Sequence, residues 1–206
     1  MSEPHYFTFP SLYIDSEGKG NYLFDPSLLK VTLKNYAAEN EKLQETIYDG
    51  KFRIRPLSIS DYYHGYIDLL RQLTECGTIT YNEFKHRLLQ MKECPNTYYI
   101  VVIEDIKSNR EVIASATLVC EKKFIRQLSV RGRIEDVVVN NRYRGQHLGK
   151  LLIELLNNFA RDKCHCYKVS LECKDELVSF YKQFGFDHEA KQNYLCQRFA
   201  QNKIQQ

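Results

Sequence analysis

Long apolar runs are missing from this chain. Nothing in it approaches the roughly 18 consecutive apolar residues of a membrane-spanning helix, and the start, MSEPHYFTFP, has no basic segment leading into an apolar one. A soluble cytoplasmic protein with no membrane insertion is expected. Charge of a single sign is lacking as well: 29 Lys+Arg against 26 Asp+Glu leave a net charge of +3, too mild to imply nucleic acid. The basic stretch 122–133 with Phe124 carries no nucleic-acid-binding motif. Seven cysteines, an odd number without framework spacing, point to reduced thiols rather than a set of disulfides. Cys164-His165-Cys166 with Cys173 lacks the spacing of structural zinc ligands, and one intervening residue at a strand start points the histidine away from both thiols; no metal is expected. Two nucleotide signatures are also absent. Gly145-Gln-His-Leu-Gly149-Lys150-Leu151 is one residue short of a Walker A loop and has leucine where a magnesium-binding hydroxyl belongs, and no third glycine completes a dinucleotide G-x-G-x-x-G.

What is present suits one α/β domain. The 206 residues are 43% hydrophobic, enough for one sizeable core. Residues 1–50 mix Gly, Pro, Ser and charge and read as an arm with one short helix, capped by Asp25 and opened by Pro26; residues 51–206 form the domain. Lys51 to Pro56 reads as a first strand. Ser60-Asp61 cap a helix expected to run to about Cys76, where Gly77 ends it. Thr80-x-x-Glu83 is a capping box opening a second helix with Phe84, Leu88 and Met91 on one face, stopped by Pro95. Tyr98–Ile103 and Val112–Glu121 read as an antiparallel hairpin. Then follow strand 134–139, helix 148–163, strand 167–172, helix 175–184 and strand 194–199. A parallel pair joined by a crossover helix is thus embedded in a sheet that begins antiparallel. No repeat or low-complexity tract interrupts the order.

The most informative stretch is IEDVVVNNRYRGQHLGK, residues 134–150. Val137, Val138 and Val139 form a β-branched buried strand, while Leu148, Leu152, Leu155, Leu156 and Phe159 make the stripe of an amphipathic helix. In the turn between them, Gly145 and Gly149 clear side chains from the backbone, the helix start offers unpaired N–H groups, and Arg142, Arg144 and Lys150 add charge. A diphosphate-like group is expected to bind here.

Arg144-Gly145-Gln146-His147-Leu148-Gly149 resembles the [RQ]-x-x-G-x-[GA] loop of the GNAT-type acetyltransferases, which bind acetyl-CoA. About 30 residues on, Phe180-Tyr181-Lys182-Gln183-Phe184-Gly185-Phe186 is similar to the F-Y-x-x-x-G-F segment that closes that fold. Glu135-Asp136-Val137-Val138-Val139, Cys166-Tyr167-Lys168, Leu171-Glu172-Cys173 and Leu73-Thr74-Glu75-Cys76-Gly77-Thr78-Ile79 sharpen the likeness to the glucosamine-6-phosphate N-acetyltransferase family, over roughly residues 52–200. Phe24-Asp25-Pro26-Ser27-Leu28-Leu29 extends it into the arm. His147 in place of the middle glycine and Leu177, four residues before Tyr181 where the family commonly has asparagine, depart from the pattern and put coenzyme affinity in question.

The resemblance implies a GNAT fold, a mixed sheet flanked by helices whose two central parallel strands splay apart, with the thioester arm of acetyl-CoA in the gap. It implies direct acetyl transfer to glucosamine 6-phosphate in a ternary complex, feeding amino-sugar nucleotide synthesis, in a homodimer with sites shared between chains. Coenzyme contacts fall on Val137, Val138, Val139, Arg144, Gly145, Gln146, His147, Leu148, Gly149, Lys150 and Tyr181. Acyl transfer needs an unprotonated amine, donors to the carbonyl oxygen and a proton for the leaving thiolate. A main-chain N–H near Val137 or Val138 is the natural donor to the oxygen. The Tyr181 phenol, with an ordinary pKa of about 10 against about 8.5 for a thiol, suits protonation of the thiolate; alone, it reads equally as a core tyrosine. Glu172 ends an apolar strand, as a carboxylate that positions or deprotonates the amine would, or as a solvated strand end. By resemblance, Glu135 and Asp136 hold sugar hydroxyls; strand alternation turns them opposite ways, so at most one points straight into the site. Lys123 and Arg126 fall within the substrate segment, Arg198 reaches the neighbouring subunit's site, and Thr74, Tyr167 and Lys168 match lesser substrate contacts. Lys122, Arg131 and Arg133 crowd the same basic stretch, as phosphate grips or as charges guarding a hairpin edge. Two other functions stay open: acetylation of a different amine, and coenzyme binding without catalysis.

Overall fold

The computed structural model describes residues 21–38 and 50–199; most of the expected arm, 1–20 and 39–49, lies outside the described residues. The chain divides into two compact units, one running to Glu172 and the other beginning at Cys173.

The first unit is built on a five-stranded sheet whose spatial order equals its chain order. The strands are β1 (Phe52–Pro56), β2 (Tyr98–Asp105), β3 (Glu111–Lys122), β4 (Val130–Val139) and β5 (Cys166–Leu171). The first three pairings are antiparallel and β4–β5 is parallel. The expected hairpin forms and is longer than its apolar cores, since Glu104–Asp105 and Glu111 continue the ladder. β4 likewise starts earlier than the valine run, because the alternation Arg131, Gly132, Arg133, Ile134 already suits a strand with one buried face.

Helices cover both faces. Crossing from β4 to β5, α4 (Leu148–Asp162) buries Leu148, Leu152, Leu155, Leu156 and Phe159, the stripe read from the sequence, and packs on β3, β4 and β5. Each such side chain contributes about 1.5–3 kcal/mol on full burial. The helix α1 (Pro26–Ala38) lies against α4, its start capped as expected by Asp25, whose Oδ1 accepts from the Ser27 N–H at 2.8 Å. Just ahead of it, the Leu23 N–H donates to the Leu57 carbonyl at 2.8 Å, and the Phe24 ring sits 5.0 Å from Tyr99 and 6.1 Å from Phe159. On the opposite face, α2 (Tyr66–Arg71) and α3 (Tyr81–Lys92) bury Tyr66, Leu69, Phe84 and Leu88 with Ile100, Val102 and Val138. The Thr80 capping box is formed: Glu83 N–H donates to Thr80 Oγ1 at 3.3 Å and Thr80 N–H to Glu83 Oε2 at 2.7 Å.

The continuous helix expected from Ser60 to Cys76 is not formed. Ser58 caps a short 3-10 turn, Ile59–Tyr62, with Asp61 completing the capping box, and Gly65 then adopts φ +82° before α2 begins. Asp61 is drawn inward: it is fully buried and accepts from Arg55 Nη1 at 2.8 Å and Nη2 at 2.7 Å, while Glu104, also fully buried, accepts from Arg55 Nε at 2.8 Å. This charge cluster fixes the turn and breaks the helical periodicity. Gly77, at φ +63°, follows an irregular stretch rather than the helix end.

In the second unit, the helix expected over 175–184 is a 3-10 turn, Asp175–Leu177, followed by α5 (Val178–Lys182). The expected strand 194–199 is absent, and Tyr194, Leu195 and Phe199 are exposed. A strand exists only by pairing with a neighbour, and among the described residues this unit holds no other strand.

Candidate active site

The β4–β5 ladder ends at Ile134 opposite Leu171, yet β4 runs on to Val139. Beyond Ile134, β5, which ends at Leu171, offers no partner, so the edge of β4 from Glu135 to Val139 has a gap in its ladder on that side. On the other side, the β3 register shifts between Ser115 and Thr117, which face Val138 and Glu135 respectively. Two residues of β4, Asp136 and Val137, therefore oppose Ala116 alone: a bulge, with Asp136 at φ +52°. The bulge pair is Asp136 and Val137, so the strand's alternation is interrupted after Asp136 rather than between Glu135 and Asp136. The sequence signal was the pair of acidic residues interrupting a β-branched run.

After β4 the chain makes a 3-10 turn, Asn141–Tyr143, held at both ends. Asn140 Oδ1 accepts from the Arg142 N–H at 3.0 Å, and the Asn141 N–H donates to Gln72 Oε1 at 2.9 Å. Gln72, which nothing in the sequence singled out, ties this turn to the end of α2. Arg144, Gly145, Gln146 and His147 are exposed, while Leu148 turns into the core. Gly145 takes φ +82° with nothing within 4 Å of an added Cβ, so conformation rather than space calls for glycine. His147 precedes α4 at φ +59° without a side-chain cap, which explains why the motif favours glycine there. The first-turn N–H groups of a long helix thus meet an open turn, an arrangement that fits a diphosphate. Of the cations, Arg142 pairs with Glu111 and Lys150 lies 3.9 Å from Glu154.

A polar row crosses β3, β4 and β5 ahead of the gap. Arg131 Nη2 donates to Ser170 Oγ at 2.8 Å. Arg133 pairs through Nε with Glu135 and through Nη2 with Glu172, so it stands between the two carboxylates. Burial pushes the Glu135 carboxyl above its ordinary range; Arg133 opposes that, and the charges of Glu172 and Asp136 add to it. Lys123 pairs with Glu121. The Arg126 guanidinium lies 4.9 Å over the Tyr167 ring, bringing two expected substrate residues together. Arg126 and Gln127 have φ of +53° and +58°, in a turn that exposes Phe124, Ile125 and Leu128. Thr74 is exposed in the turn after α2, its N–H donating to the Leu70 carbonyl at 3.1 Å. Lys168 lies opposite Arg131 in the ladder. Behind this row, Gly132 leaves room for Cys120 and Cys166 to approach to 3.9 Å; an added Cβ would meet Cys166 Sγ at 3.3 Å. Among the described residues, no cluster of three His, Cys, Asp or Glu side chains is placed to hold a metal ion.

In the second unit, Tyr181 is buried in α5, its ring 5.1 Å from Phe180 and 6.1 Å from Phe186. Burial, with a smaller contribution from Cys173, pushes its phenol above the ordinary range. Gly185 takes φ +83° at the end of the F-Y-x-x-x-G-F segment. Leu177 and Arg198 are exposed.

The chain matches the model of the Acetyltransferase (GNAT) family over residues 66–186. It is 42% identical over 168 residues to a probable glucosamine 6-phosphate N-acetyltransferase of Drosophila melanogaster, covering 80% of this chain and 75% of that one. To glucosamine 6-phosphate N-acetyltransferase 1 of Dictyostelium discoideum it is 41% identical, over 71% of this chain and 92% of the relative. The crystal structure of glucosamine-6-phosphate N-acetyltransferase from Arabidopsis thaliana superposes with a TM-score of 0.66 at 39% identity, covering 70% of this chain and 97% of that one.

Proposed function

The chain belongs to the GNAT acetyltransferase family, and within it to the glucosamine 6-phosphate N-acetyltransferases; from that premise we propose that it moves the acetyl group of acetyl-CoA directly to the amine of D-glucosamine 6-phosphate, in a ternary complex. The observation that carries the reading is the ladder that stops at Ile134–Leu171 while β4 continues to Val139. Such a gap admits an extended thioester arm and turns main-chain donors toward it.

The turn Arg144–Gly149 and Lys150 receive the diphosphate, and Val137, Val138 and Val139 receive the arm. A β4 N–H at Val137 or Val138 donates to the thioester oxygen as it gains charge during attack. Glu172 holds the amine and accepts its proton; Glu135 and Asp136 bind sugar hydroxyls. Lys123 and Arg126 take the phosphate, aided by Thr74, Tyr167 and Lys168. Tyr181 protonates the departing thiolate, and the raised phenol pKa keeps that proton available at neutral pH. The nitrogen–carbonyl bond forms as the sulfur–carbonyl bond breaks, and no covalent enzyme intermediate is needed.

Exposed Phe124, Ile125 and Leu128, with exposed Leu195 and Phe199, support a homodimer in which Arg198 serves the other chain's phosphate. No helix among the described residues is long and apolar enough to cross a membrane. Within the proposal, the enzyme works in the cytoplasm and supplies N-acetylglucosamine 6-phosphate for amino-sugar nucleotide synthesis. The test is to incubate the protein with acetyl-CoA and, separately, glucosamine 6-phosphate, glucosamine and a lysine peptide, following free thiol release. Release dependent on glucosamine 6-phosphate is expected. Release with the peptide alone, or with no amine in the panel, would overturn the proposal.

A further inference from the structure

We propose that Arg133 is a positioning residue, clamping Glu135 and Glu172 into one charged unit at the mouth of the β4–β5 gap. The inference rests on the acetyltransferase reading given above. In the sequence, Arg133 belongs to a basic stretch suited to phosphate. In the structure its fork is already engaged on both sides, Nε by Glu135 on its own strand and Nη2 by Glu172 just past β5.

The place of the clamp gives it meaning. Arg133 faces Ser170 at the second-to-last rung of the parallel ladder, and the last rung is Ile134–Leu171. Glu172 is the first residue beyond that ladder, where no backbone pairing to β4 fixes its direction. A planar guanidinium bonded to both carboxylates replaces the missing rung. It also places one positive charge between two negative ones that otherwise repel. The charged groups around it are Asp136 and Arg131 on β4, Glu121 on β3 and Lys168 on β5. Arg131 is held by Ser170 and Lys123 by Glu121, so neither cation is arranged to replace Arg133 between the carboxylates.

The experiment compares Arg133→Gln and Arg133→Lys with wild type. The amine's own titration is common to all three enzymes, so the ratio of variant to wild-type kcat/KM isolates the protein's carboxylates. For Arg133→Gln the ratio is expected to fall about threefold between about pH 8 and about pH 5. Loss of the adjacent positive charge lets the carboxylate protonate first as pH falls, and about threefold is the scale of a one-unit shift, the low end of the effect of an adjacent opposite charge. Lysine retains charge without the fork, so Arg133→Lys should flatten the ratio while leaving kcat/KM below wild type at every pH. On a Glu172→Gln background, Arg133→Gln should cost less than about twofold, because its main partner is gone. A pH-independent ratio for Arg133→Gln, or its full loss retained on the Glu172→Gln background, would overturn the proposal.

A readout independent of turnover is the Glu135 side-chain carboxyl carbon resonance, whose titration midpoint should rise by about one unit in Arg133→Gln. A midpoint unmoved to within about 0.3 unit refutes the clamp, whatever the activity. Should wild type fail to acetylate glucosamine 6-phosphate while the midpoint moves, the reaction assignment falls and the clamp stands.

Discussion

His147→Gly should make this protein more stable without weakening its hold on acetyl-CoA. The residue occupies φ +59° and ψ 14° immediately before α4, with its side chain exposed and making no cap hydrogen bond. An L-residue in the left-handed region costs roughly 1–2 kcal/mol. Glycine relieves that, and gives back roughly 0.5–1 kcal/mol through the greater freedom of its unfolded chain. The net is a gain of up to about 1.5 kcal/mol, or up to roughly 3–6 °C in Tm for a chain of this size. His147→Val is the opposing arm, since a branched side chain tolerates positive φ worst and should lose at least about 1 kcal/mol. Urea unfolding measures both variants, and calorimetric titration with acetyl-CoA reads the turn directly. Glycine should leave Kd equal to wild type or lower, because the N–H groups of the first turn are untouched. Destabilisation by glycine, or valine equal in stability to histidine, would refute the argument from backbone conformation.

Tyr181→Phe should keep acetyl-CoA binding near wild type and lower kcat by about 10²-fold, the low end for a general acid because a thiolate leaves readily; unchanged kcat where chemistry limits the rate would sink the assignment. Glu172→Gln should lower kcat/KM for glucosamine 6-phosphate, with partial rescue as rising pH supplies unprotonated amine. A pH profile parallel to wild type would leave Glu172 a positioning role only. Asp61→Asn should cost about 1.5–3 kcal/mol, because the buried Arg55 loses one prong of its two-pronged acceptor and is left with Glu104 as its only counter-charge among the contacts described; denaturant unfolding checks this, and a loss under about 1 kcal/mol would contradict it.

Elements governed by local rules were legible in the sequence. The α4 stripe, the Thr80–Glu83 box, the Asp25 cap and the β2–β3 hairpin each depend on residues a few positions apart, and each formed where the pattern placed it. What failed depended on distant partners. The helix expected from Ser60 was broken at Gly65 while Arg55, itself held by Glu104 from a second strand, held Asp61 beside it. The 194–199 run has strand composition, and composition supplies no neighbour to pair with. The run Glu135 to Val139 looks like an unbroken strand until the β3 register sets Asp136 and Val137 against Ala116 alone.

The basic stretch shows how register changes a functional reading. Counted along the chain, Lys122, Lys123, Arg126, Arg131 and Arg133 make one phosphate-binding cluster. Once β4 lies beside β5, Arg131 is opposite Lys168 with its guanidinium on Ser170, and Arg133 bridges Glu135 and Glu172. Arg131 and Arg133 are thereby engaged by neighbouring strand residues. Arg126 is held differently: it lies on the Tyr167 ring in an exposed turn, and a stacked guanidinium keeps its N–H edge for an anion. On the proposed function, phosphate recognition is expected of the turn between β3 and β4, and Arg133 is expected to order the carboxylates it bridges.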